Sequence, residues 1–333
     1  MTTGSRQILV LDAADVEQLL TMDECIELMA QTLAELADGN FHQPLRMVVR
    51  PPKAIGLLGL MPAYRMRNPA LYGLKAICVF PENPKLGKDA HQGSVMLFSG
   101  ETGELLSLMN ASAITGIRTA AVSGVATRLL ARPDAARLAI IGSGVQARSH
   151  LAAIACVRDI QSTRVVSRNR QHAEEYALTM REHFSFPIEP VETVKEALDG
   201  ADIIVTATTS HQPVIDRRWI SPGTHINAVG THSPASREID GATMAAAKVF
   251  VDRRESAINE AGDYVLALQE GLITEENIVG EIGEVLTGTK PGRQTLDEIT
   301  LFKSLGLAVE DLACAQYLFR KAQDKGTGTW VNF

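Results

Sequence analysis

The spacing of apolar residues predicts different elements in different parts of the chain. Between residues 13 and 39 apolar positions recur at steps of three and four, which predicts one amphipathic helix that ends near Gly39. From about residue 45 to residue 110, short β-like runs such as "GLKAICVF" are separated by Pro, Gly and Asn, and "SGETGE" is typical of a hairpin turn. This region predicts a small, mostly antiparallel or mixed sheet.

Strand and helix patterns alternate in the second half of the chain. Residues 114–131 predict a helix rich in small residues that ends before Pro133. Short apolar runs then predict strands at Leu138–Ile141, Thr163–Val166, Ile188–Val191, Ile203–Ala207, His225–Val229 and Val249–Asp252. Because helix-like segments separate most of these runs, we expect a parallel, doubly wound sheet with right-handed crossovers. Residues 300–323 predict one more amphipathic helix.

Composition and charge narrow the class of protein. A length of 333 residues, with 45% apolar and 21% charged residues, is typical of a globular protein of about two domains. The formal net charge of −7 argues against a broad nucleic-acid or anionic-membrane surface. No apolar run reaches the roughly 18 residues of a membrane span. Asp12 also interrupts any signal-peptide core, so we expect a cytoplasmic protein.

Cysteine and histidine spacing gives no indication of a metal site. The four cysteines are scattered without a CxxC pair, and the eight histidines show no HxxxH or HxH spacing. We therefore expect reduced thiols and no bound metal.

A glycine loop follows the first strand of the alternating region. Gly142-Ser143-Gly144-Val145-Gln146-Ala147 has the GxGxxA form of a dinucleotide fingerprint and lies between a predicted strand and a predicted helix. Gly142 would permit the tight turn, Gly144 the approach of a pyrophosphate, and Ala147 close packing of the helix on the sheet. The alternative is a tight turn that binds no ligand.

The end of the next strand indicates which dinucleotide binds. An NAD site carries Asp or Glu at this place, whereas this chain has "VVSRNR", with Ser167, Arg168, Asn169 and Arg170. Arg168 could bind a 2′-phosphate bidentately and stack on adenine, so we expect a preference for NADP(H) over NAD(H). Two solvated arginines at the start of a surface helix are the alternative.

Cations stand at positions where they are unfavourable. Lys75 interrupts an apolar strand, and Arg118 lies in a predicted first helical turn, where the helix dipole opposes a positive charge. Arg46, in "QPLRMVVRP", is a third candidate of this kind. A small anionic substrate would explain them, and so would a snorkelling side chain or an internal salt bridge.

Four ordered motifs carry a family resemblance: "LFSGETGELLSLMNASAITGIRTAAVSGVATRLL", "IIGSGVQA", "GTHINAVG" and "FKSLGLAVEDLA". The chain resembles the ornithine cyclodeaminase/mu-crystallin family from about Met22 to Phe319. That family includes cyclodeaminases, archaeal alanine dehydrogenases and NAD(P)H-dependent ketimine or pyrroline-carboxylate reductases, and its mu-crystallins also bind thyroid hormone.

The resemblance implies an α/β fold of two domains in a homodimer. Residues 116–305 would form a Rossmann-type doubly wound parallel sheet that binds NAD(P). Residues 1–115 plus 306–333 would form a smaller mixed α/β domain for substrate binding and dimerisation.

The resemblance also implies individual site residues. The substrate carboxylate would bind Arg46, Lys75 and Arg118. Glu260 matches a ligand-pocket glutamate of mu-crystallins, although it could equally be a charge on a helix surface. Cofactor contacts are implied for Arg118, Gly142, Gly144, Val145, Gln146, Ala147, Ser167, Arg168, Asn169, Thr208, Thr209, Val229, Ser304 and, from the other domain, His91.

One position departs from the cyclodeaminases of the family. They carry an aspartate shortly after "AVG" that handles the substrate amine, whereas this chain reads "AVGTHSPASRE" and has His232 at that place. The difference argues against ornithine cyclodeamination and leaves reduction of a C=N bond next to a carboxylate intact. His232 and Lys75 are candidate catalytic proton donors. A loop histidine without a chemical role is the alternative for His232.

We therefore expect NADPH-dependent reduction of cyclic or N-substituted α-imino acids, a ketimine or pyrroline-2-carboxylate reductase activity. An amino-acid dehydrogenase or cyclodeaminase that uses NAD is one alternative. A small-ligand-binding protein that requires NADPH and turns over little, as the resemblance to mu-crystallins allows, is the other.

Overall fold

The computed structural model describes residues 7–333. Residues 1–6, the start of the N-terminal segment that the sequence analysis considered as a signal peptide, lie outside the described residues. The chain forms two compact units. The first contains the chain up to Arg118 together with Leu307–Phe333, and the second contains Thr119–Gly306. Every helix within residues 7–333 is too short or too polar to cross a membrane.

The single helix expected over residues 13–39 is wrong, because two helices occupy this stretch. α1 (Ala13–Leu19) ends at Leu20, and α2 (Met22–Ala37) begins after Thr21, with extended backbone at both intervening residues. Thr21 starts the new helix through a capping box in which its N–H donates to the Glu24 carboxylate at 3.3 Å. The apolar period runs through the break and therefore did not reveal it.

The first unit contains a mixed sheet, as predicted. Its strands up to residue 110 are β1 (Gln7–Leu11), β2 (Phe41–His42), β3 (Met47–Val49), β4 (Leu57–Arg65), β5 (Leu71–Val79), β6 (His91–Ser99) and β7 (Leu105–Asn110). β4 to β7 pair antiparallel in sequence order, β2 and β3 both pair with β4, and β1 lies parallel to β7.

A long helix, α3 (Ala111–Leu130), carries the chain from the first unit into the second. It begins earlier than the expected residue 114 because Asn110 caps it: the Asn110 side-chain oxygen accepts the N–H of Ala113 at 2.9 Å.

The second unit is built on a parallel sheet. Its strands are β8 (Arg137–Ile141), β9 (Ser162–Val166), β10 (Ile188–Pro190), β11 (Ile203–Thr206), β12 (His225–Ala228), β13 (Lys248–Val251), β14 (Ile278–Glu281) and β15 (Thr300–Lys303). Its helices are α4 (Val145–Val157), α5 (Arg170–Arg181), α6 (Val194–Leu198), α7 (Gly241–Ala246), α8 (Arg254–Glu260), α9 (Gly262–Gln269) and α10 (Ile282–Leu286). The strands all run parallel in the order β10-β9-β8-β11-β12-β15-β13-β14, which confirms the predicted doubly wound sheet.

The helix expected over residues 300–323 is wrong in its first part. Thr300–Lys303 is the strand β15, between β12 and β13, and α11 (Ala308–Lys325) begins only after Gly306, which has a φ of +75°. Residues 301–307 are all buried, as in an inner strand of a parallel sheet that is covered on both faces.

α11 and the last strand, β16 (Thr329–Asn332), return to the first unit. β16 pairs antiparallel with β1, and α11 packs on β4, β5 and β6 so closely that a Cβ on Gly73 would lie 2.9 Å from Leu312. The other sheet face carries Tyr72, which is 50% exposed, and beside it an apolar cross-strand row whose residues are half-buried. That row contains Pro62, Leu74, Met96 and Leu108. The first unit therefore leaves an apolar sheet face partly exposed.

Candidate active site

The glycine loop joins the end of β8 to the start of α4. Gly142 has a φ of +116°, and a Cβ there would lie 2.4 Å from the carbonyl oxygen of Ala207, so only glycine fits without strain. Gly144 is exposed, and a Cβ on it would meet no heavy atom within 4 Å. The loop is thus held tightly against the sheet on one side and open on the other.

The open side of the loop fits a pyrophosphate. Gly144 is the N-cap of α4 and provides no side-chain cap, so the first-turn N–H groups are left for a ligand. Val145 is exposed and Gln146 is half-buried, whereas Ala147 is fully buried and its carbonyl accepts the Tyr176 hydroxyl at 3.1 Å. The small Ala147 side chain lets α4 lie close to the sheet, so the residues present fit a dinucleotide.

The adenosine end of such a dinucleotide would meet Ser167, Arg168 and Asn169, directly after β9. The Ser143 and Ser167 hydroxyls are 3.0 Å apart, and the Asn169 side chain caps α5 by accepting the N–H of Gln171 at 3.0 Å. The Arg168 side chain is exposed and makes no hydrogen bond or ion pair with any residue in the range 7–333. It is therefore available to a phosphate.

Other predicted cofactor residues lie where β11, β12 and β15 end. Thr208 and the exposed Thr209 follow β11, and the buried Val229 and Ser304 follow β12 and β15. The carboxyl ends of parallel strands share one edge of the sheet, so the second unit gathers these residues at the same edge as the glycine loop.

Lys75 and Arg118 meet on one carboxylate in the first unit. Each is only 3% exposed. Lys75 Nζ lies 2.7 Å from Asp311 Oδ2, and Arg118 donates from Nε to Asp311 Oδ1 at 3.1 Å and from Nη1 to Glu310 at 2.8 Å. The internal salt bridge considered from the sequence is therefore present, and β5, α3 and α11 each contribute to it.

Burial and the charges within this cluster shift the pKa values of Lys75 and Asp311. Burial and the nearby charges of Arg118 and Arg46 lower the pKa of Lys75 to about 8, although Asp311 opposes them. Burial would raise the pKa of Asp311, but the charges of Arg118 and Lys75 hold it below its usual value. A buried amine with a pKa near neutrality can exchange a proton with a bound substrate.

The remaining predicted site residues are spread over several elements. Arg46 is half-buried between β2 and β3, and His91 is exposed at the start of β6. His232 is exposed in the loop after β12, and Glu260 is half-buried at the last position of α8.

Sequence reasoning missed the acidic partners of the cluster. Glu310 and Asp311 lie in the first turn of α11 and are fully buried. The signal was present in "LAVEDLACA", because two adjacent carboxylates among apolar and small residues are unfavourable unless cations compensate them. Glu238, Asp263 and Lys303 of the second unit are also fully buried and were not singled out.

Comparison with known proteins identifies close relatives. The model of the ornithine cyclodeaminase/mu-crystallin family matches residues 6–326. A Δ1-pyrroline-2-carboxylate reductase of Bacillus cereus is 38% identical over 327 residues, which cover 98% of this chain and all of that protein.

Solved structures agree over nearly the whole length of the chain. The Δ1-pyrroline-2-carboxylate reductase of Thermococcus litoralis, in complex with NADH and L-proline, superposes with a TM-score of 0.94 at 39% identity and covers 97% of this chain and 99% of its own. An archaeal alanine dehydrogenase dimer with bound NAD gives a TM-score of 0.92 at 32% identity over 98% of this chain and all of its own. The motifs, the fold and these matches establish that the chain belongs to the ornithine cyclodeaminase/mu-crystallin family.

Proposed function

We propose that the protein is an oxidoreductase that reduces the C=N bond of cyclic or N-substituted α-imino acids with a reduced nicotinamide dinucleotide. The buried cluster of Lys75 and Arg118 on Asp311 carries the proposal, because it concentrates cationic groups and a titratable amine in a chain that also has a dinucleotide-type glycine loop. The Bacillus and Thermococcus relatives, both named as pyrroline-2-carboxylate reductases, support this substrate class.

The cluster residues would bind and orient the substrate. Arg118, Lys75 and Arg46 would hold the substrate carboxylate, and Asp311 would fix the two buried cations in place. Reduction adds a hydride to the imine carbon and a proton to its nitrogen, and the nicotinamide supplies the hydride when bound. Lys75 would hold the proton at Nζ, since an amine with a pKa of about 8 is mostly protonated at pH 7. His232 is the second candidate donor.

Cofactor consumption tests the proposal. Purified protein is mixed with NADPH or NADH and a panel that contains pyrroline-2-carboxylate and piperideine-2-carboxylate, and the loss of reduced cofactor is followed by absorbance. We expect consumption with at least one cyclic imine. Consumption only with pyruvate plus ammonia would identify an amino-acid dehydrogenase instead. Tight, NADPH-dependent ligand binding without oxidation would favour a binding protein.

We further propose that NADPH is preferred over NADH. Arg168 supports this, because an exposed guanidinium directly after β9, without a carboxylate beside it, suits a 2′-phosphate. Arg168→Ala should raise KM for NADPH at least about tenfold and leave KM for NADH within about twofold. Arg170→Ala is the matched control, because the Arg170 guanidinium is paired with Glu174 at 2.7 Å. Equal KM values for both cofactors in the wild type would contradict the preference.

We also propose that the protein forms a homodimer through the apolar sheet face of its first unit. The row that contains Leu74 and Met96 is apolar from strand to strand yet only half-buried, which is unfavourable for a face left to water. The archaeal alanine dehydrogenase is a dimer, which supports a second copy of this chain as the partner.

A further inference from the structure

Three charged residues in the second unit are completely buried and have no role in the function proposed above. Lys303 Nζ lies 2.9 Å from Asp263 Oδ2, and Glu238 lies beside this pair. All three are 0% exposed. Burial of charge is unfavourable unless the group is paired and hydrogen-bonded, so the hydrogen-bond partners of these three residues show what they hold in place.

Asp263 and Lys303 hold the segment that follows β12. The Asp263 carboxylate accepts the N–H groups of Glu238 and Ile239 at 2.7 and 2.9 Å and the hydroxyl of Thr231 at 3.0 Å. Lys303 donates to the carbonyl of Thr231 at 2.7 Å. The loop from Thr231 to Glu238 is therefore fixed at both ends.

Glu238 joins the ends of β11 and β12. Its carboxylate accepts the N–H groups of Thr208 and Gly230, both at 2.7 Å, and the hydroxyl of Thr206 at 2.9 Å. The contact is so close that a Cβ on Gly230 would lie 2.5 Å from Glu238 Oε1. One carboxylate thus accepts three hydrogen bonds, and it fixes the peptide N–H groups of Thr208 and Gly230 at the carboxyl edge of the sheet.

The direction of a bound dinucleotide follows from the sheet order. The glycine loop after β8 would hold the pyrophosphate, and the residues after β9 would lie on the adenosine side. Strand order reverses between β8 and β11, so the other half of a bound dinucleotide would extend over the ends of β11 and β12. We infer that Glu238, Asp263 and Lys303 are positioning residues that hold this edge in the shape required by the nicotinamide half of the cofactor. The inference rests on the proposed function.

Binding measurements with and without the nicotinamide ring test the inference. Calorimetry would give the affinities of NADPH and of 2′-phospho-ADP-ribose, which lacks that ring, or of NADH and ADP-ribose if the wild type binds NADH more tightly. Glu238→Gln places an amide NH2 against backbone N–H donors. This substitution should weaken binding of the full dinucleotide at least about tenfold and leave the affinity for the fragment within about twofold of the wild-type value. Thr206→Val removes one donor at lower risk to folding and should act in the same direction.

Asp202→Asn is the matched control. Asp202 is a buried carboxylate that accepts the N–H groups of Ala136 and Arg137 at 3.1 and 3.0 Å, but it precedes β11 and so lies at the opposite edge of the sheet. Its substitution should leave the ratio of the two affinities unchanged. If Glu238→Gln and Thr206→Val weaken binding of both ligands equally, or of neither, the inference is overturned and the proposed function still stands. A wild type that binds neither dinucleotide would overturn the proposed function and this inference together.

Discussion

Asp311 sets the charge state of Lys75, because it is the carboxylate that opposes the effect of burial on the pKa of that amine. If protonated Lys75 is needed for the reaction, kcat/KM is high below about pH 8 and falls as the pH rises through that value. Asp311→Asn removes the opposing charge and should move this alkaline limb to lower pH. The pH profile of kcat/KM for the imine substrate measures the shift.

A surface ion pair of the same unit provides the control for this pH profile. Lys321 Nζ lies 2.6 Å from the Glu24 carboxylate, at a partly exposed position outside the cluster. Glu24→Gln should leave the alkaline limb where it is in the wild type. An identical limb in Asp311→Asn would show that Lys75 does not control the reaction.

His150 links stability to pH in the second unit. Burial lowers its pKa to about 4, and the neutral ring lies 2.7 Å from the carbonyl of Gln146 and 2.9 Å from the hydroxyl of Ser123. Between about pH 6.5 and 4 the unfolded chain binds a proton at this residue and the folded chain does not. The free energy of unfolding therefore falls by about 1.4 kcal/mol per pH unit on acidification through this residue alone.

His150→Gln should remove this contribution. Urea unfolding between pH 6 and pH 4.5 should give a shallower loss of stability in the variant than in the wild type, by about 1.4 kcal/mol per pH unit. His183→Gln, at an exposed position, serves as the control. Parallel slopes for His150→Gln and the wild type would rule out this linkage.

Two glycines in the loop between β8 and α4 should respond differently to substitution: Gly142 should affect stability, and Gly144 should affect dinucleotide binding. Alanine at Gly144 meets no atom within 4 Å and keeps an ordinary φ of −79°, so Gly144→Ala should leave Tm unchanged. Its methyl group would occupy the open side of the loop, where the proposed phosphate would approach, and dinucleotide affinity should fall at least about tenfold.

Gly142→Ala is the contrasting variant at the same loop. Its methyl group would lie 2.4 Å from the Ala207 carbonyl oxygen at a positive φ, so the free energy of unfolding should fall by more than about 1 kcal/mol. Differential scanning fluorimetry and calorimetric titration with NADPH measure both effects. A stable Gly144→Ala variant with wild-type affinity would contradict a phosphate at this loop.

The parallel sheet could be predicted from the sequence because its signals are local. Leu138–Ile141 is an unbroken apolar run, and the glycines that follow it mark the turn into a helix. The strand β15 could not be separated from α11, because a segment that is buried on all sides shows neither the period of a strand nor that of a helix.

The partners in the buried cluster could not be predicted, because they depend on long-range packing. Lys75 and Arg118 were recognisable as unfavourably placed cations, but Asp311 lies far along the chain and reaches them only when α11 packs on the sheet of the first unit. A single sequence shows that such charges need partners and does not show which partners they find.

At the scale of the whole molecule, the apolar sheet face should set the oligomeric state. Leu74→Glu places a charge in the middle of the cross-strand row and should convert a dimer of twice 36.0 kDa into a monomer. Leu178→Glu is the control, because Leu178 is 64% exposed on α5 in the second unit. Light scattering after size-exclusion chromatography gives the masses. A wild-type mass of 36.0 kDa would contradict the dimer.

The position of β15 between β12 and β13 has a consequence for biosynthesis. When a nascent chain has left the ribosome as far as β14, its second unit still lacks an inner strand, and its first unit lacks α11 and β16. Both units are thus completed by about the last tenth of the chain, from Thr300 onward. A truncated product that stops before that residue leaves strand edges unpaired in both, and such edges promote aggregation.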